Sequence, residues 1–102
     1  MSQDLDGLRD RLREFAAVRD WEQFATPRNL ALALAGEVGE LCADLQWEPE
    51  GGPLSSERLE AIRGEMADVL IYLVRLGDVL DIDLLHAAAA KVEINEGRFP
   101  PA

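Results

Sequence analysis

The chain of 102 residues carries 20 acidic side chains against 10 basic ones, a net charge of -10, and is 48% hydrophobic. That length makes one domain near the lower end of sizes that sustain a core unaided, and the apolar share is too high for a disordered acidic tail. The charge excludes a duplex nucleic-acid binder, which needs a basic footprint, and uncharged apolar stretches such as Val69 to Val74 are far short of the roughly 20 residues that span a bilayer. The single Cys42 leaves no internal disulfide and suits a reducing compartment. The acidic start, Met1 to Asp6, has no basic segment leading into an apolar run, so no signal peptide is expected there. These features predict a cytoplasmic chain with neither a membrane nor a nucleic-acid polymer as partner.

Leu5, Leu8, Leu12 and Phe15 form the apolar stripe of a first helix. Arg19 to Pro27 breaks that rhythm and holds Trp21 and Phe24. A second helix starts near Pro27 or Arg28, since proline is tolerated in a first turn, with Leu30, Leu34, Val38, Leu41 and Leu45 as its stripe. Gln46 to Leu54 contains two prolines and two glycines and reads as a loop. Ser55 or Ser56 caps a third helix whose stripe is Leu59, Ile62, Met66, Val69, Leu73 and Leu76, ending near Gly77 to Asp81. Asp81 or Asp83 caps a fourth, running through the alanines to about Asn95, and Phe99 to Pro101 end the chain extended. No stretch alternates as a strand would. The short connections predict a single all-α domain over residues 1–102, an antiparallel four-helix bundle. Leu30–Ala35 and Val69–Val74 are apolar all round, more than four short helices can cover. A partner subunit follows, with a tightly wrapped monomer as the alternative.

Glu37 and Glu40 are spaced i, i+3, as are Glu65 and Asp68, which puts each pair on one helical face. Chance alone yields roughly four such acid pairs at this composition, and the sequence has five, so spacing is no argument by itself. Context is. Between Leu30 and Leu45 the only charges are Glu37, Glu40 and Asp44, and between Met66 and Val74 the only charge is Asp68. Carboxylates converging in such apolar runs are costly unless a cation lies between them, and hard oxygen ligands favour Mg²⁺ or Mn²⁺. Asp68, in the most apolar run, is expected to feel the repulsion most. Gly36 and Gly39 flank Glu37 within the helix, which suggests close approach of another helix or a ligand. The alternative is a solvated acidic face with ordinary glycine packing.

Lys91, Asn95 and Arg98 fall at i, i+4, i+7, a donor row suited to phosphate oxygens or simply a surface lysine with an arginine at a helix C-terminus. Trp21, Phe24 and Trp47 lie in irregular segments and either sandwich a base or anchor the core. His86 and Cys42 have no catalytic company and read as structural. A di-iron carboxylate bundle would need Glu-x-x-His pairs, which one histidine cannot supply. A non-catalytic acidic helical interaction module needs no metal cluster at all.

The segments RDWEQF (Arg19–Phe24), PRNLALALAGEVGEL (Pro27–Leu41), QW (Gln46–Trp47), GEMADVLIYLVRL (Gly64–Leu76) and KVEINEGRFP (Lys91–Pro100) resemble, in this order, the MazG-like all-α nucleoside triphosphate pyrophosphohydrolases, most closely their dCTP pyrophosphatase branch. The resemblance implies Mg²⁺-dependent hydrolysis of a (deoxy)nucleoside triphosphate, dCTP among the candidates, to monophosphate and pyrophosphate, in a homodimer or homotetramer. It implies Glu37, Glu40, Glu65 and Asp68 as metal ligands, with Glu40 as the proton acceptor. Lys91 and Asn95 then contact phosphate, joined by Arg98, and Lys91 stabilises the leaving pyrophosphate. Trp21 and Trp47 border the base, and Asn29 lies near the nucleotide. The animal dCTP enzymes carry histidines where this chain has Leu12 and Thr26, and leucine offers no hydrogen bond to a base edge. The resemblance therefore carries triphosphate hydrolysis further than it carries the choice of base.

Overall fold

The computed structural model describes residues 4–102; Met1 to Gln3, on which part of the signal-peptide expectation rests, lie outside the described residues. Four α-helices follow one another: α1 (Leu5–Ala17), α2 (Pro27–Leu45), α3 (Ser56–Val79) and α4 (Leu84–Arg98), with one 3₁₀ turn at Glu22–Phe24. Each helix starts on a side-chain oxygen that takes up an otherwise orphaned backbone N–H. Asp4 accepts from Gly7 N at 2.8 Å, Thr26 from Asn29 N at 3.1 Å, Ser55 from Arg58 N at 3.1 Å and Asp83 from His86 N at 3.0 Å. Pro27 opens α2, where its missing N–H costs nothing. α4 runs past the expected Asn95 to Arg98 and closes with Phe99 N donating to Asn95 O at 2.8 Å, just ahead of Pro100.

Two helix ends turn sharply through an aspartate in the left-handed region, a conformation aspartate tolerates better than most residues. Asp20 has φ 57° and Asp81 φ 55°. Trp21 N then donates back to Ala16 O at 3.0 Å, and Ile82 N to Gly77 O at 2.8 Å. The first of these turns presents Trp21 beside the start of α2.

α3 is the central helix, with extensive contacts to α2 and further contacts to α1. Arg13 of α1 grips Asp78 of α3 with both arms of its guanidinium, Nε donating to Oδ2 at 2.8 Å. Arg58 of α3 reaches Glu48 at 2.8 Å and Asp44 at 3.7 Å. α4 approaches α3 at its first residue: a Cβ on Gly77 would stand 3.0 to 3.2 Å from the Leu84 side chain. Gly36 and Gly39 are different. A Cβ on either would meet nothing within 4 Å, so no helix of this chain approaches them.

The buried apolar side chains among the described residues are Ala16, Leu30, Ile62 and Val74, whereas Leu32, Met66, Leu85 and Ile94 are each more than half exposed. The chain exposes 8007 Å² for 11.3 kDa, where a compact monomer of that mass exposes about 5,700 Å². Its radius of gyration is 16.5 Å, against about 13 Å for a compact domain of this length. Among the described residues no helix is long and apolar enough to cross a membrane.

Candidate metal centre and base cavity

The register of α2 on α3 decides which side chains meet. Ala33 shares a cavity wall with Tyr72, Glu37 meets Asp68, and Asp44 pairs with Arg58. Rising numbers on α2 meet falling numbers on α3, so the two helices are antiparallel. Glu37 and Glu40 then face Glu65 and Asp68 across the seam.

Glu37, Glu65 and Asp68 each place a carboxylate oxygen within 4.8 Å of the others. Glu37 Oε2 and Glu65 Oε2 are cut off from solvent without a hydrogen-bond partner, and so is Asp44 Oδ2 at the edge of the group. No lysine or arginine forms an ion pair with Glu37, Glu40, Glu65 or Asp68 among the described residues. The consequence is a raised affinity for protons. Glu65 is pushed up to about 7, first by burial, then by sharing a proton with the adjacent Glu40 carboxyl, and then by the charges of Glu40, Asp44 and Glu37. Glu37 is raised as well, by burial first and then by the charges of Glu40 and Asp68.

One expectation needs correcting. Asp68 is exposed, and the half-buried members are Glu37 and Glu65. The apolar neighbours that made Asp68 look enclosed in sequence lie on other faces of α3. Orphaned, proton-holding carboxylate oxygens with no nitrogen or sulfur donor among them suit a hard divalent cation such as Mg²⁺ or Mn²⁺.

One helical turn away lies a cavity of about 270 Å³ lined by Trp21, Phe24, Asn29, Tyr72 and Arg75. Ala33, at its wall, precedes Glu37 by four residues, and Tyr72 follows Asp68 by four, so the cavity and the carboxylates lie along one face of the α2–α3 pair. Trp21 packs edge-on against Phe15 at 5.7 Å between ring centres, with the Arg19 guanidinium 3.6 Å from the Phe15 ring centre on α1. Asn29 Nδ2 donates to Phe24 O at 3.1 Å. Two larger clefts, of about 380 and 330 Å³, lie between α1 and α3 and hold Arg9, Arg13 and Asp78, with no member of the carboxylate group.

The structure brings Trp21 and Asn29 together at the smaller cavity, while Trp47, Lys91, Asn95 and Arg98 do not line it. Trp47 stands beyond α2 and is 86% exposed. Lys91, Asn95 and Arg98 share a face of α4; neither Lys91 nor Arg98 forms an ion pair among the described residues, and the Arg98 guanidinium lies 5.1 Å from the Phe99 ring centre. Thr26 is occupied as the α2 cap. His86 lines the largest cleft and Cys42 is exposed. Sequence reasoning missed Tyr72 and Arg75, and noted Asp44 without placing it in the group. The signal for the first two was present, since they follow Asp68 at i+4 and i+7 on the same helical face.

No family model matches the chain. Over 100 residues, 94% of the chain, it is 48% identical to dCTP pyrophosphatase 1 of Homo sapiens, and to dCTP pyrophosphatase 1 of Mus musculus at the same identity and coverage. The chain spans 59% of the length of these curated relatives. It is also similar to the crystal structure of a pyrophosphatase from Archaeoglobus fulgidus, with a TM-score of 0.83 and 38% identity, covering 99% of this chain and 96% of that one.

Proposed function

Because the chain belongs to the MazG-like all-α nucleoside triphosphate pyrophosphohydrolase family, we propose that it hydrolyses a (deoxy)nucleoside triphosphate to the monophosphate and pyrophosphate, with dCTP among its substrates and Mg²⁺ as the metal. The observation that carries this reading is the carboxylate group of Glu37, Glu65 and Asp68, with Glu37 and Glu65 oxygens orphaned out of solvent, lying one helical turn from an aromatic cavity. A non-catalytic interaction surface has no use for carboxylate oxygens held out of solvent without a partner.

Glu37, Glu65 and Asp68 hold the cation, with Glu40 at the exposed edge completing the set. Bound there, Mg²⁺ supplies neutralisation of the triphosphate and acidifies a water molecule for attack. Glu40 is exposed at the edge of the group, so it is the carboxylate open to an attacking water and would take its proton. Trp21 and Asn29 place the nucleoside in the cavity, and Trp47, at the opposite end of α2, would reach a base only from another subunit. Lys91, Asn95 and Arg98 hold phosphate oxygens, Lys91 offsetting charge on the leaving pyrophosphate.

The working unit is a homodimer or homotetramer. The chain exposes roughly 2,300 Å² more than a compact monomer of its mass, an area on the scale of obligate subunit interfaces. Leu32, Met66, Leu85 and Ile94 are the apolar residues that a second copy would cover. The single free Cys42 suits a reducing compartment, which supports a cytoplasmic location.

The test is a panel of canonical and modified triphosphates incubated with Mg²⁺, products resolved by chromatography, for wild type and for Glu37→Ala and Glu65→Ala. Wild type releases monophosphate and pyrophosphate from at least one substrate, and each variant loses nearly all turnover. Full turnover in either variant overturns the assignment of the centre.

A further inference from the structure

Arg75 carries a set of hydrogen-bond donors at a cavity wall that no protein group among the described residues takes up. It lines the cavity with Trp21, Asn29 and Tyr72, and it also lines the adjoining cleft that holds Leu12 and Ala16. It is half-buried, and among the described residues it forms no hydrogen bond and no ion pair. Asp78 attracts it only at longer range, because both arms of Arg13 already occupy that carboxylate. A guanidinium with its donors uncommitted at a cavity wall is available to acceptor atoms on whatever enters. The volume, about 270 Å³, falls just below the roughly 300 to 1,000 Å³ of pockets that enclose a whole ligand. It suits one base, with the phosphates left outside at the carboxylates a turn away.

Taking this cavity as the base site, which rests on the function proposed above, we propose that Arg75 is a specificity-determining residue that selects bases whose edge offers two neighbouring acceptor atoms. A guanidinium has five donors, no acceptor, and a flat fork that engages two acceptors side by side. Cytosine presents O2 beside N3, and guanine O6 beside N7. Adenine sets an amino group beside both N1 and N7, and thymine alternates acceptor, donor, acceptor, so neither offers the fork two adjacent sites. Asn29 fits the same pattern. Its Nδ2 is taken by Phe24 O at 3.1 Å, which leaves Oδ1 to accept from the donor that adjoins each acceptor pair, the cytosine amino group or guanine N1–H. Leu12 in the adjoining cleft has no donor to offer, so the reading of the base edge falls to Arg75.

The experiment measures kcat/KM for dCTP, dGTP, dATP and dTTP with Mg²⁺ in wild type, Arg75→Ala and Arg75→Lys. In wild type dCTP or dGTP is preferred, and comparison of those two arms shows which acceptor pair is read. In Arg75→Ala the ratio of the preferred substrate to dATP falls by on the order of 10- to 100-fold, the scale of one bidentate base contact, with the change mainly in KM. Arg75→Lys keeps the charge and the aliphatic stem but not the fork, and its ratio falls too, which guards against a variant that merely misfolds. Ratios that survive in both variants while wild type cleaves the panel overturn the role of Arg75 alone. A wild type that cleaves none of the four overturns the proposed function, and this inference with it.

Discussion

Binding of Mg²⁺ should expel a proton from the carboxylate group, and the number expelled follows from Glu65. Its carboxyl is pushed up to about 7, so it is about 0.9 protonated at pH 6 and about 0.1 at pH 8. A divalent cation requires the ionised form, so binding should release about 0.9 proton from Glu65 at pH 6 and about 0.1 at pH 8. Glu37, raised for the same reasons, adds to the release at the lower pH. The count belongs to the carboxylate group as a whole. Calorimetric titration with MgCl₂ in buffers of different ionisation enthalpy gives this number directly, as the slope of observed heat against buffer enthalpy. Glu65→Gln should remove most of the release at pH 6. A wild type that binds Mg²⁺ with no proton release at pH 6, or with equal release at both values, refutes the reasoning.

The same residue sets the pH dependence of the metal-free protein. Because the folded Glu65 titrates above its ordinary value of 4.5, the folded state binds more protons than the unfolded one between pH 4.5 and about 7, and stability falls as pH rises through that window. In EDTA the protein should therefore show a higher Tm at pH 5.5 than at pH 7.5, with a smaller difference in Glu65→Gln; a Tm that rises over that interval contradicts it. Asp78, held below its ordinary value by the Arg13 guanidinium, works in the opposite sense, its contribution being lost only as pH falls below 3.8. Gly39→Ala, with open space around the added Cβ, should stabilise the chain against urea by about 1 kcal/mol through helix propensity; a loss of stability would place another surface against α2. Light scattering on the purified protein should give at least twice the 11.3 kDa chain mass, and a monomer at micromolar concentration would contradict the apolar surface argument.

The helices were legible because their signals are local. Thr26 with Pro27, Ser55 and Asp83 each lie next to a periodic apolar run, and each caps the helix that follows. The end of α4 was less legible, since Gly97 suggests an earlier stop than the one Pro100 imposes. Glu37, Glu40 and Asp68 could be picked out in sequence because each lies in an otherwise uncharged apolar stretch, and Glu65 through its spacing to Asp68. Which of them is enclosed was not legible. That depends on the face each presents across the antiparallel seam, and Asp68 proved exposed while Glu65 is the member pushed up to about 7. Tyr72 and Arg75 escaped notice for the same reason, as the turn that presents Trp21 had to be built before their face of α3 had a cavity to line. The exposed residues of the apolar stripes, Val38 and Leu45 of α2 and Leu73 of α3, mark where a core drawn from one chain's pattern exceeds what one chain encloses.

The central claim is that the carboxylate group drives cleavage between the α and β phosphates of a nucleoside triphosphate. The measurement that tests it most directly is a phosphorus NMR time course of the protein with dCTP and Mg²⁺, repeated in excess EDTA. Monophosphate and pyrophosphate should appear together in equal amounts from the first points, with no diphosphate or orthophosphate, and EDTA should stop the reaction. Orthophosphate with a diphosphate as first products, or hydrolysis that ignores EDTA, would contradict the account.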